Sequence, residues 1–152
     1  MITESGITII TIQQIKTEDL EDLCELFDEL ISEKTNYTKL VEVFQTIENN
    51  DNYIILGAFN EDGLVGTLMG IICHDFVGEC KPFMVIENVI VSNRARRQGI
   101  GKKLMLEIER IAKERDCYYI ILVSGEQRKE AHVFYEKLGF KDEKVEGYRK
   151  HL

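Results

Sequence analysis

The sequence predicts a single-domain, mixed α/β fold with the element order βααββββαβαβ. Its 152 residues suit one domain with a sizeable core. Apolar residues recur at helical spacing in four stretches, separated by short runs rich in β-branched residues. The stretch 84–107 joins the two patterns. It runs from a β-branched segment through the basic loop 94–98 into an amphipathic helix opened by Gly99 and Gly101.

Residues 7–12 alternate Thr with Ile in part and are expected to form a strand at or near a sheet edge. Thr17 is placed to cap the next helix, with Glu18 and Asp19 in its first turn. Leu20, Leu23, Cys24, Phe27, Leu30 and Ile31 mark one face of that helix, and Glu21, Asp22, Glu25, Asp28 and Glu29 its solvated face. A second helix is expected over 38–48, with Leu40, Val41, Phe44 and Ile47 inward. Asn49-Asn50-Asp51-Asn52 signals a turn into a strand at 53–59, and Asn60-Glu61-Asp62-Gly63 a hairpin into 64–74. Residues 75–82 read as a loop before the strand at 84–91. The helix over 99–115 turns Ile100, Leu104, Ile108, Ile111 and Ala112 to the core. Residues 117–123 are almost wholly apolar, the pattern of a strand covered on both faces. A last helix over 129–138 stops at Gly139, which suits a left-handed cap, and 141–152 is expected to return as an antiparallel strand.

Composition narrows the function. The formal net charge of −8 argues against general nucleic-acid affinity, which rests on Lys and Arg neutralising phosphates. The cluster from Arg94 to Lys103 stands out against that acidic background and suits a small polyanion. Residues 1–7 lack a basic segment followed by a long apolar run, and no stretch is apolar for long enough to span a membrane, so a cytoplasmic protein is expected. Cys24, Cys73, Cys80 and Cys117 are scattered without metal spacing and read as reduced structural thiols. No metal is expected.

A glycine-rich helix start exposes backbone N–H groups at the positive end of the helix dipole, where a phosphate binds favourably. Arg96, Arg97, Lys102 and Lys103 add cations around that point. The alternative is plain capping without a ligand. A P-loop would need Gly at 96 and Ser or Thr at 103, where this chain has Arg96 and Lys103. A dinucleotide fingerprint starting at Gly99 would need Gly in place of Leu104.

Arg96-Arg97-Gln98-Gly99-Ile100-Gly101 resembles the Gln/Arg-x-x-Gly-x-Gly/Ala signature of the GNAT N-acetyltransferase superfamily, and 131–140, Ala-His-Val-Phe-Tyr-Glu-Lys-Leu-Gly-Phe, resembles that family's last-helix motif. The branch most similar is glucosamine 6-phosphate N-acetyltransferase, through Ile86-Glu87-Asn88-Val89-Ile90-Val91 and Phe134-Tyr135-Glu136-Lys137. Asn88 stands where those enzymes have Asp. The resemblance implies a mixed, mostly antiparallel sheet flanked by helices, with acetyl-CoA as co-substrate. It implies that the amides of 96–102 hold the pyrophosphate, that Val89, Ile90 and Val91 lie along the cofactor with an N–H near Val89 as oxyanion donor, and that the second-helix region helps form the acceptor site. Many relatives have Asn where this chain has Arg128, so Arg128 is a candidate for a phosphate contact and Ser124 for a hydroxyl contact. His132 is a candidate cofactor contact or a solvent-exposed residue.

Alternation places Val85, Glu87, Val89 and Val91 on one face of the 84–91 strand and Ile86, Asn88 and Ile90 on the other. Glu87 among valines is expected to have a raised pKa and to serve as general base. The alternative is a buried carboxylate held by a hydrogen bond or a cation. Asn88 is read as hydrogen-bonding a neighbouring loop. Tyr135 shares a helix face with Ala131 and Leu138, and the resemblance makes it the acid that protonates the leaving thiolate; the alternative is a core tyrosine. Together these readings predict acetyl transfer from acetyl-CoA to a primary amine, an amino sugar or other small amine, by direct transfer without a cysteine nucleophile. A protein α-amine or lysine acetyltransferase and a catalytically silent acyl-CoA sensor are the alternatives, and a homodimer is left open.

Overall fold

The computed structural model describes Gly6, residues 8–31 and residues 33–152. Except at Gly6, the reading of residues 1–7, including Ile7 of the expected first strand, lies outside the described residues. The elements are β1 (Thr11–Gln14), α1 (Leu20–Asp28), α2 (Tyr37–Ile47), β2 (Tyr53–Asn60), β3 (Gly63–Cys73), β4 (Phe83–Val91), α3 (Ile100–Glu114), β5 (Ile120–Leu122) and α4 (Lys129–Lys137). The strands form one five-stranded sheet in the order β1-β2-β3-β4-β5. The β1/β2, β2/β3 and β3/β4 pairs are antiparallel. At the β4/β5 edge the Tyr118 N–H bonds to Pro82 O and the Met84 N–H to Tyr119 O, so the contacts advance in the same sense along both segments. The mixed α/β sheet flanked by helices is the fold the sequence predicts. The chain divides into two compact units, one ending at Ile121 and the other covering Leu122–Leu152.

Three local expectations change. Three strands, not the four of the expected order, lie between α2 and α3; they are the three segments read individually, and 75–82 is the expected loop, with the Asp75 carboxylate accepting the Phe76 and Val77 N–H groups. The tail 141–152 carries no strand; its apolar Val145, Tyr148 and Leu152 are all exposed, so no apolar face drives pairing. The run at 117–123 yields only a three-residue strand, with Tyr118 and Tyr119 exposed. The Tyr118 hydroxyl donates to Asp75 at 2.8 Å, a bond that lowers the Asp75 pKa and pushes the phenol up to about 12. Tyrosine combines an apolar ring with a donor that seeks a partner, and the expectation of full coverage overlooked the donor.

In the first unit helices cover both faces of the sheet. Leu20, Leu23 and Leu26 of α1 and Phe44 of α2 pack with Ile15, Leu64 and Ile90 on one face. Ile100, Leu104 and Ile108 of α3 pack on the other, over Gly66 and Gly70 of β3. A Cβ on Gly70 would come within 2.7 Å of Ile108 Cδ1, and one on Gly66 within 2.9 Å of Ile100 Cγ2, so these glycines set how closely α3 approaches. Thr17 does not cap α1: 17–19 is a 3-10 turn, and the Asp19 carboxylate reaches back to accept the Lys16 N–H at 2.8 Å. Asn36 caps α2 by accepting the Lys39 N–H at 3.1 Å. Among the described residues, no helix is long and apolar enough to cross a membrane.

Candidate active site

The site in the first unit is built around an interruption in β4. Thr67 pairs with Ile90 and Met69 with Glu87, so Asn88 and Val89 together stand opposite the single residue Leu68. This is a β-bulge, and Asn88 takes the left-handed conformation it requires, with φ +56°. The extra residue inverts the alternation expected of an unbroken strand. Ile86, opposite Gly70, faces the α3 layer, whereas Ile90, four residues on, faces the α1/α2 layer. The expectation that Ile86, Asn88 and Ile90 share a face therefore fails.

Glu87 lies on the α1/α2 face opposite Met69 and is exposed, not buried among valines. What remains is an accessible carboxylate beside the bulge. Asn88 is also exposed, and among the described residues its side chain makes no hydrogen bond, contrary to the expected loop contact. The Ile90 side chain belongs to the core, so only its backbone is available to a ligand.

Beside Glu87 and Asn88, α1, α2 and the sheet line a half-open cavity of about 390 Å³. Leu20, Leu23, Leu40, Phe44, Ile47 and Ile55 supply much of its lining, with Met69 and Asn88 on the strand side. The sequence predicted the helices but not this space, because it depends on the angle between two amphipathic elements.

Beyond β4 the chain enters α3 through a 3-10 turn at Asn93–Ala95. The Glu29 carboxylate at the end of α1 anchors this entry by accepting from the Ser92 hydroxyl at 3.2 Å and the Asn93 N–H at 3.3 Å. Arg94 is also structural, its guanidinium donating to Leu64 O at 3.0 Å. Sequence reasoning placed Glu29 on a solvated face and missed this link, which spans more than sixty residues. Arg97 and Gly99 are both left-handed, with φ of 66° and 71°. Gly99 is the N-cap of α3, and no side chain caps the helix. The first intrahelical bond here runs from the Lys103 N–H to Gly99 O at 3.1 Å, which leaves the N–H groups of Ile100, Gly101 and Lys102 at the open end. Arg96, Arg97, Gln98, Lys102 and Lys103 are exposed there, and among the described residues the four cations have no carboxylate partner. Ile100 is 1% exposed, so its side chain anchors the turn and only its amide is offered.

In the second unit Tyr135 lies on α4, half-buried, with its ring 5.2 Å from that of Phe134 and 6.1 Å from that of Phe140. Burial pushes its phenol pKa up, and the Arg128 charge works weakly against this. The phenol is thus protonated at neutral pH. Gly139 is left-handed as expected, and the Phe140 N–H closes the helix onto Tyr135 O at 3.1 Å. His132 is partly exposed but hydrogen-bonded. Its Nε2 lies 2.9 Å from Gly125 O, so that nitrogen carries the proton and ties α4 to the 124–128 loop. Arg128 is exposed at the N-cap of α4. The Ser124 Oγ is buried and, among the described residues, has no hydrogen-bond partner. Buried polar groups are seldom left in that state. Among the described residues, no group of three His, Cys, Asp or Glu is placed to hold a metal.

Comparison with known proteins gives the family of the chain. Over 56 residues the chain is 41% identical to the glucosamine 6-phosphate N-acetyltransferase of Trypanosoma brucei brucei, a match covering 37% of this chain and 36% of that protein. It thus aligns with little more than a third of that relative's length. It is 26% identical to the spermidine N(1)-acetyltransferase of Thermoplasma acidophilum over 91% of this chain and 92% of that one. A solved structure described as a transcriptional regulator from Bacillus halodurans C-125 has a TM-score of 0.87 and 31% identity, covering 95% of this chain and 100% of its own. The family profile matching residues 18–140 covers most of the chain, and on that match the chain belongs to the Acetyltransferase (GNAT) family.

Proposed function

We propose that the chain is an N-acetyltransferase that moves an acetyl group from acetyl-CoA to a primary amine by direct transfer. The observation that carries this reading is the start of α3, where a left-handed glycine cap, open backbone amides and cations with no carboxylate partner among the described residues converge in a chain of this family. Coenzyme A presents a pyrophosphate, and helix-terminal amides with cationic side chains are suited to that group. In the proposal the amides of Ile100, Gly101 and Lys102 hold it, with Arg96, Arg97 and Lys102 supplying charge and Gln98 a polar contact. The orphaned Ser124 hydroxyl supports a further polar contact, as does Arg128 for phosphate. The backbone of Val89, Ile90 and Val91 is assigned to the pantetheine side. Bound acetyl-CoA supplies the thioester carbonyl that the amine attacks.

An amine with a pKa of about 10.4 is mostly protonated at neutral pH and needs a base. Glu87 is assigned that task, directly or through a water, because it is an accessible carboxylate beside the bulge. A backbone N–H near Val89 is assigned to the developing oxyanion. Tyr135 is assigned proton donation to the departing thiolate, supported by a phenol that burial keeps protonated.

Three variants test these assignments separately. Gly99→Val puts a branched side chain at φ 71° and should weaken coenzyme A binding about 10-fold or more, since a charge-assisted hydrogen bond is worth roughly 1.5–3 kcal/mol. Calorimetry showing an unchanged Kd in the folded variant would remove the pyrophosphate from this turn. Glu87→Gln should lower turnover at neutral pH by about 10²–10⁴-fold and regain part of it as pH rises and free amine accumulates. A pH–rate profile identical to wild type would exclude Glu87 as the base. Tyr135→Phe should keep coenzyme A affinity and lose about 10-fold or more in rate, a loss that shrinks with a thioester of lower thiol pKa. An equal loss with both thioesters would make Tyr135 a packing residue.

A further inference from the structure

We propose that the acceptor is a primary amine with an apolar body, an alkyl or arylalkyl amine, in contrast to the phosphosugar and the polyamine in the names of its relatives. This rests on the acetyltransferase reading and narrows its substrate. The cavity beside Glu87 and Asn88 holds about 390 Å³, within the range of small-molecule sites. A dry space of about 150 Å³ accommodates a benzene ring, so this one has room for a body of roughly two rings or a medium alkyl chain.

The lining decides which body fits. Leu23, Leu40, Phe44, Ile47 and Met69 present hydrocarbon and thioether, and Lys39 is the one charged residue among the described lining residues. Two of the polar groups there are engaged within the protein, while the Asn88 side chain at the strand side has no partner among the described residues. Asn36 Oδ1 caps α2 through the Lys39 N–H, and the Thr67 hydroxyl donates to Leu56 O at 2.7 Å. A sugar's several hydroxyls would lose water with few partners beyond Asn88 to replace it, and its phosphate would meet a single cation. A polyamine would bring a second ammonium to a space that offers no carboxylate. A monoamine meets neither difficulty. Its apolar body fills the cavity, and its single ammonium is left at the strand side, where Glu87 stands opposite Met69 on the same face.

The test combines turnover and binding on the intact chain. With saturating acetyl-CoA, kcat/KM is measured for butylamine, hexylamine, octylamine and 4-phenylbutylamine against spermidine and glucosamine 6-phosphate. Binding of 4-phenylbutylamine is measured separately by calorimetry. The proposal predicts that kcat/KM rises about fourfold per added methylene until the cavity is full, from the usual transfer free energy of a buried CH₂. It predicts that the best apolar amine exceeds spermidine and glucosamine 6-phosphate at least 10-fold. Val43→Glu places a carboxylate in the lining at a residue 58% exposed, and should weaken both kcat/KM and binding of 4-phenylbutylamine about 10-fold. A preference for spermidine or glucosamine 6-phosphate, or no dependence on chain length, overturns the apolar acceptor while acetyl transfer stands. Binding of 4-phenylbutylamine that Val43→Glu weakens, without turnover of any amine, supports the apolar site and overturns the acetyltransferase reading. Neither binding nor turnover overturns both.

Discussion

At Asn88 the backbone of β4 enters the left-handed region, and the layering on both sides of the sheet depends on that one residue. Without the extra residue, Ile86 and Ile90 would point the same way and one helical layer would lose its contact with β4. With it, Ile86 is sealed beneath α3 and Ile90 joins the α1/α2 core. A left-handed non-glycine residue costs roughly 1–2 kcal/mol. Burying an isoleucine contributes about 1.5–3 kcal/mol, so retaining both burials outweighs the strain. Asparagine is among the residues that tolerate this backbone best.

The same interruption positions the chemistry. Residues at a bulge leave one-to-one pairing, so their side chains and amides are not committed to the ladder. Glu87 and Asn88 reach solvent in the middle of a strand that is otherwise largely covered, next to a cavity whose walls are hydrocarbon. The end of β4 leads within a few residues to the Gly99 turn. Glu29 fixes the start of that path through Ser92 and Asn93, and Ile100 anchors its end in the core. Between these anchors Arg96 and Arg97 are exposed and, among the described residues, have no carboxylate partner.

The fold was readable wherever local periodicity decides structure. The 3.6-residue spacing identified all four helices, and the Asn60–Gly63 signal gave a hairpin in which Asn60 pairs with Gly63. Gly99 was readable as the start of α3 because glycine favours the left-handed conformation found at that cap. What escaped the sequence was set by tertiary context. Simple alternation put Glu87 in an apolar face, and only the Asn inside a β-branched run hinted that alternation would break there. Glu29 looked like one more solvated carboxylate until the fold brought Ser92 and Asn93 to it. His132 had no local partner until the 124–128 loop folded back on it, and the tyrosines of 118–119 counted as core although their hydroxyls need partners.

Urea unfolding of Asn88→Gly beside Asn88→Val tests the bulge most directly. Asn88 is exposed, so either change removes little packing. If the left-handed backbone at this position holds the two layers in register, Asn88→Gly should remain within about 1 kcal/mol of wild type, because glycine adopts that conformation freely. Asn88→Val should lose about 1–3 kcal/mol, the usual cost of holding an unsuited residue in a sparsely populated region. Equal stability of the valine variant and wild type, or equal losses in both variants, would contradict the account.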